Sequence, residues 1–125
     1  MPVADIASAS PVQFFGIRSD GTLAAVVGLE LYPPVGLLRS LAVAPPFRGR
    51  GFARALVRFA ESFAASQGVE TLFLLTTTAE RFFLALGYLP ASRVVAPEAI
   101  QATSQFTSFC PDSSAFLSKH VITAG

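Results

Sequence analysis

Cysteine is almost absent from this 125-residue chain, with Cys110 the single one. One thiol excludes an internal disulfide framework. With His120 the single histidine, a Cys/His zinc site is out of reach and no metal is expected. Charge is scarce as well: charged residues make up 14% and hydrophobic residues 52%, where a typical soluble domain carries roughly 25% charged residues. So much apolar surface can be buried against the entropy of ordering the chain, which excludes disorder as the default. Long hydrophobic runs are missing too. No stretch reaches the ~18 uninterrupted apolar residues of a spanning helix, so no membrane partner is expected. Nine basic and eight acidic residues leave a formal charge of +1, which offers no broad basic surface to nucleic acid. Residues 1–11 lack the basic and apolar regions of a signal peptide, and a cytoplasmic location is the expectation.

The length argues for one domain over residues 1–125. A domain this small with so few charges leaves apolar surface in water, to be covered by a second copy in a homodimer or used as a ligand groove. No repeat, linker or low-complexity segment interrupts the chain.

Residues Val12 to Ile17 read as a strand, Ser19-Asp20-Gly21 as a hairpin turn, and Leu23 to Tyr32 as a second strand. Pro33-Pro34 and Gly36 break it, and Leu37 to Val43 forms a third strand that Pro45-Pro46 end. Phe52, Ala55, Leu56, Phe59, Ala60, Phe63 and Ala64 recur at helical spacing, with Gly68 just beyond the helix end. Val69 to Leu75 reads as a buried strand. Thr77 with Glu80 matches a capping box opening a short helix through Leu86, which Gly87 ends. Tyr88 to Val95 is expected as a strand, Pro97 to about Gln105 as a short helix, and Ser114 to Val121 as the last strand. The order describes a mixed α/β domain around one sheet.

The most informative stretch runs from Leu37 to Leu56, where a strand enters a glycine-containing turn that opens the long helix. A helix that begins this way aims unpaired backbone N–H groups and the positive end of its dipole at one spot. Gly49 and Gly51 let an anion approach the backbone, and Arg48 and Arg50 add positive charge; the pattern reads as a pyrophosphate cradle. A Walker loop needs a lysine and a hydroxyl that are missing here. The dinucleotide fingerprint needs a third glycine where Arg54 stands.

Arg48-x-x-Gly51-x-Ala53 resembles the acetyl-coenzyme A signature of the GNAT N-acetyltransferase superfamily, and it sits after an apolar strand ending Leu41-Ala42-Val43-Ala44-Pro45. Thr76 to Tyr88 looks like that family's second block, and the likeness runs from about Val12 to Val121. Within the superfamily, Leu74-Leu-Thr-Thr-Thr-Ala79, Phe82-Phe83 and Gly87-Tyr88 are similar to arsenic-resistance N-acetyltransferase-like proteins. So are Arg93, Ala96-Pro97, Ile100, Thr103, Phe106 and Cys110-Pro111-x-Ser113. A related Leu-Leu-Thr-Thr pattern occurs in N-acetylglutamate synthase acetyltransferase domains. The resemblance implies a GNAT-type α/β (α+β) fold with a mixed central sheet and flanking helices. It also implies acetyl-CoA as cosubstrate and a small primary amine resembling an amino acid as acceptor. The other reading it allows is an acyl-CoA-binding module that lacks transferase activity and acts through a partner.

By position in that family, Leu41 N–H polarises the thioester carbonyl and Val43 bonds the pantetheine arm, while Arg48, Gly49, Arg50, Gly51, Phe52 and Ala53 hold the phosphates. Leu37 to Val43 as a plain core strand is compatible with this, because backbone groups act. Acyl transfer needs a neutral amine, and Glu30 is the candidate base, with a surface carboxylate as the alternative. Arg39 suits an acceptor carboxylate or a surface ion pair, for which Glu30 itself is a candidate. Thr76 and Thr78 are candidates for acceptor binding, while helix capping accounts for Thr77. Many family members protonate the leaving thiolate with a tyrosine, and Phe83 stands in that place; Tyr88 and Tyr32 are possible substitutes, with packing as the plainer use. His120 and Cys110 receive no role. The family usually begins with a strand and two helices before the Asp-Gly hairpin. Only about a dozen residues precede Val12 here, so the amino-terminal elements are expected to be shortened, with the first strand missing and the second helix at best a remnant. The wall of the acceptor site is then expected to be open or supplied by another subunit.

Overall fold

Asp20 and Gly21 close a hairpin between β2 (Val12–Ser19) and β3 (Thr22–Tyr32), with Ser19 opposite Thr22. A computed structural model describes residues 3–9, 12–94, 96–103, 106 and 114–122. Along β2 and β3 the side chains alternate between two faces. Phe15, Val27 and Leu29 go to one face and are buried, while Phe14, Gly28 and Glu30 share the other. β4 (Val35–Val43) continues the antiparallel ladder, and α1 (Phe52–Ser66) then carries the chain across to β5 (Thr71–Thr76), which runs parallel to β4.

Helix α1 buries Phe52, Leu56, Ala60 and Ala64 of the predicted stripe together with Val57, which the periodicity did not single out. It leaves Ala55, Phe59 and Phe63 half-buried and turns Arg54 and Arg58 to solvent. Leu56 and Val57 are fully buried, each contributing ~1.5–3 kcal/mol by area. Phe59 and Phe63 close over Phe15, their ring centroids 5.0 and 5.1 Å from it. Beyond β5 come α2 (Glu80–Ala85), the two-residue strand β6 (Leu89–Pro90), α3 (Glu98–Gln101) and β7 (Ala115–His120). With β1 (Val3–Ala9) at one edge, the sheet has seven strands among the described residues, in the order β1-β2-β3-β4-β5-β7-β6. Leu37, Phe73 and Phe116 form a second core with Ala96 and Ile100 on the face opposite α1. The architecture is the expected mixed sheet with flanking helices.

Three expectations need correction. The first strand is present: β1 (Val3–Ala9) pairs antiparallel with β2, joined to it across residues 10 and 11. Its alanines, Ser8 and Asp5 have little intrinsic strand preference, so pairing with β2 makes this segment extended. The strand expected over Tyr88 to Val95 shrinks to Leu89–Pro90, because Pro90 cannot donate to a ladder and the chain turns off after Ala91 N–H meets Phe116 O at 2.8 Å. The capping box at Thr77 does not form: Thr76 Oγ1 instead accepts the Ala79 N–H at 2.9 Å, and α2 has no side-chain cap. Thr76→Val is therefore expected to cost about 1 kcal/mol. Thr77→Val, at an exposed site, should stay within ~0.5 kcal/mol of wild type. Urea unfolding of the two variants separates these outcomes.

Val95, Gln105 and Cys110 lie outside the described residues, and α3 ends at Gln101. Among the described residues the exposed large apolar side chains are Leu84, Leu89 and Val94, and no helix is long and apolar enough to cross a membrane.

Candidate active site

β4 and β5 pair only at Val35–Thr71, Gly36–Leu72 and Leu37–Phe73. Both strands continue past that point, β4 to Val43 and β5 to Thr76, so the sheet is split from Leu38 onward. Strand β4 also carries a bulge: Val26 faces Ala42 but Gly28 faces Arg39, which leaves Ser40 and Leu41 together opposite Val27. Ser40 takes φ +59°, an uncommon conformation for a residue with a side chain. The extra residue shifts the alternation. Leu38 lies on the α1 face and, past the bulge, so do Leu41 and Val43, which pack against that core.

The bulge also fixes where backbone groups point. Ala44 N–H bonds Ala24 O at 2.8 Å, and bonded and non-bonded pairs alternate in an antiparallel ladder. Val43, opposite Ala25, therefore directs its N–H and C=O away from β3 into the split. Its carbonyl accepts from Arg48 Nε there, at 3.3 Å.

Beyond β4 a short 3-10 turn (Pro45–Phe47) leads to Gly49 and Gly51, both at φ +80°. Gly51 caps α1 without any side-chain hydrogen bond, and the first N–H in the helix bonded to a main-chain carbonyl is that of Ala55. The leading N–H groups are thus left for an anion. A Cβ placed on Gly49 or Gly51 meets nothing within 4 Å; the approach to this backbone is open space. A cavity of about 700 Å³ begins here, lined by Leu41, Val43, Phe47, Arg48, Phe52 and Phe82 among others. Arg50 leans over the Phe47 ring, 5.3 Å from its centroid.

A second cavity of about 250 Å³ lies in the mouth of the split, between Leu38–Leu41 and Leu74–Ala79, with Phe83 at its wall. Leu41 and Ala79 line both cavities. Arg39, Ser40, Thr76, Thr77 and Thr78 supply its polar side chains, and no carboxylate or imidazole lines it among the described residues. Glu30, the expected base, is not an open surface carboxylate. It is 4% exposed, with Oε2 accepting from Arg39 Nη1 at 2.6 Å and Oε1 from Tyr32 Oη at 2.5 Å. Arg39 thus makes the ion pair anticipated as one of its two options while also lining the cavity.

Phe83 is buried edge-on to Phe82 and Tyr88, with centroids 5.1 and 5.4 Å away. Tyr88 does not replace the missing hydroxyl. Its ring is fully buried, and its O–H is given to Glu61 at 3.0 Å, which Lys119 also holds at 3.0 Å. His120 is exposed at the far end of β7. Sequence reasoning missed Phe47, Phe82 and Ala79 as cavity walls, the first two because apolar rings near a turn look like core. It also missed the bulge, since nothing in a serine announces a positive φ.

Burial, and then the hydrogen bond to Glu30, push the Tyr32 phenol up to about 12. Burial and the Glu61 charge push Tyr88 higher still. Neither tyrosine is expected to ionise at the ordinary ~10, which absorbance at 295 nm during alkaline titration checks. An unfolded phenol loses its proton near ~10, so the folded state holds more protons above that pH. This contribution to stability is complete below pH ~10 and is lost as pH rises through about 12.

Among known proteins, the chain is 36% identical over 87 residues to the amino-acid acetyltransferase of Ralstonia nicotianae, a match covering 68% of this chain and 19% of that protein. Its fold is similar to N-acetylglutamate synthase from Neisseria gonorrhoeae complexed with coenzyme A and N-acetyl-glutamate, with a TM-score of 0.77 at 23% identity, over 88% of this chain and 26% of that one. It is similar also to the ribosomal-protein-S18-alanine N-acetyltransferase from Escherichia coli, with a TM-score of 0.71 at 20% identity, over 94% of this chain and 74% of that one. The chain spans about a fifth of the curated relative and about a quarter of the synthase. The family model for acetyltransferases of the GNAT type matches residues 2–88, from the edge strand through the split and the glycine loop to the buried Tyr88. The chain belongs to the acetyltransferase (GNAT) family.

Proposed function

We propose that this chain binds acetyl-CoA along the split and transfers the acetyl group to the primary amine of a small, amino-acid-like acceptor. The observation that carries this reading is the meeting of the two cavities at Leu41 and Ala79, beside the unpaired edge of β4. The amides of Gly49, Arg50, Gly51, Phe52 and Ala53, with Arg48 and Arg50, hold the diphosphate. Val43 pairs with the pantetheine arm. Leu41 shares the orientation of Val43, two residues on, so its N–H faces the thioester carbonyl. One donor of this kind lowers a barrier by ~3 kcal/mol.

The 250 Å³ cavity suits an amino acid and not a protein tail. Arg39 meets the acceptor's acid group there, and Thr76 and Thr78 offer hydroxyls. The neutral amine attacks the thioester directly, since no nucleophile–base pair lines the cavity among the described residues. As the C–N bond forms the C–S bond breaks, and coenzyme A leaves as a thiolate that takes its proton from water. With both oxygens of Glu30 engaged by donors, we assign that carboxylate to holding Arg39, and the amine's proton leaves to water. The finer likeness to arsenic-resistance N-acetyltransferase-like proteins rests on Leu74–Ala79 and the residues after it. Among the described residues no helix stands between β1 and β2 to wall the acceptor, so a second copy supplying that wall belongs to the same proposal.

A thiol-release assay with acetyl-CoA across amino acids, amino-phosphonates and simple amines tests the transferase. Release with at least one amino acid is the expected result. Silence on every amine, with acetyl-CoA binding retained, supports the acyl-CoA-binding module instead.

A further inference from the structure

Glu30 stands at a position where a charge is costly. It faces Val12 and Leu37 across the sheet, 4% exposed, and a buried carboxylate survives only when paired. Two donors from the same sheet face answer it, Arg39 Nη1 at 2.6 Å and the Tyr32 hydroxyl at 2.5 Å. Gly28, directly opposite Arg39, is the floor of the arrangement: a Cβ there would lie 2.9 Å from Arg39 Cγ and 2.9 Å from the Phe14 ring. Arg39 Nε meets Ser40 Oγ at 3.3 Å. These contacts hold the arginine along its stem and on two of its nitrogens. Nη2 keeps both N–H groups without a hydrogen-bond partner among the described residues, on a side chain that lines the acceptor cavity.

We infer that Tyr32 is a positioning residue for acceptor selection. By fixing Glu30 it fixes the plane of Arg39, so that the free edge of the guanidinium is pre-set for one acid group of the acceptor. A pre-set fork loses little rotamer freedom on binding and discriminates by geometry. Because Glu30 already balances the charge of Arg39, the selection is for a group placed to accept the directed hydrogen bonds that Nη2 has left to give, and not for negative charge in general. The acceptor class that follows is an amine bearing a carboxylate or a similar planar-faced acid, against amines without one. This rests on the transferase reading above.

The test compares Tyr32→Phe with wild type on two acceptors: the amino acid most rapidly acetylated in the panel, and the amine left when its carboxyl group is removed. The expected result is a KM for the amino acid raised about 5- to 10-fold, with kcat and the KM values for acetyl-CoA and for the decarboxylated amine unchanged. An equal rise for both acceptors, or no rise, overturns the inference. A second readout needs no activity: solvent exchange of the Arg39 Nε–H, followed by NMR in the free protein, should be slow in wild type and faster in Tyr32→Phe. Equal exchange in the two proteins overturns the holding role. A wild type that acetylates no amine overturns the transferase reading, while the exchange experiment still decides whether Tyr32 holds Arg39.

Discussion

Gly51→Val is expected to weaken acetyl-CoA binding at least tenfold, about 1.4 kcal/mol, while the sheet remains folded. Gly51 sits at φ +80° as the cap of α1, and a β-branched residue is strained there by about 1–3 kcal/mol. That strain appears as lost stability in urea. The loss of affinity has a separate origin. A Cβ at this site meets nothing within 4 Å in the free chain, so the added methyl groups stand where the diphosphate is to approach. Gly51→Ala should fall between the two proteins in both measurements. Calorimetry showing Gly51→Val binding acetyl-CoA as wild type does would remove the loop from the site.

Replacing Arg39 by methionine should act on both folding and acceptor use. Glu30 is then left buried with only the Tyr32 hydroxyl, and removing one member of a buried pair costs about 3 kcal/mol. The KM for the amino-acid acceptor should rise about 100-fold, as expected when a charge-assisted pair of hydrogen bonds is lost. Adding Glu30→Gln to Arg39→Met is expected to restore most of the stability and none of the acceptor KM, since the buried charge is gone but the fork is not replaced. Recovery of both would mean that Arg39 serves the fold alone. Glu30→Gln by itself should leave the rise of kcat/KM with pH unchanged, because the free-amine fraction of the acceptor sets it.

The glycine loop before α1 was legible because its constraints are local. Gly49 and Gly51 mark backbone that no side chain tolerates well, and the spacing from Phe52 to Ala64 declares a helix without reference to anything distant. Arg39 and Glu30 were visible as candidates, yet what they do depends on a register that places Arg39 opposite Gly28, and one sequence does not print a register. The strand from Val3 to Ala9 was lost for a related reason: it owes its conformation to β2, not to its own alanines. Thr76 and Thr77 are interchangeable in sequence, and a single step in where β5 ends decides which one receives the Ala79 N–H. The bulge at Ser40 is the hardest case. It turns Leu41 and Val43 to the α1 side, but it is imposed by the sheet on both sides of it.

The central claim is that the main-chain amides of residues 49–53 grip a diphosphate. Titration of the ¹⁵N-labelled protein with coenzyme A, read residue by residue, tests it directly. The largest amide shifts are expected at Gly49, Gly51, Phe52 and Ala53, saturating together with those of Leu41 and Val43. Saturable binding that leaves those loop amides unmoved, or no binding at all, would contradict the account.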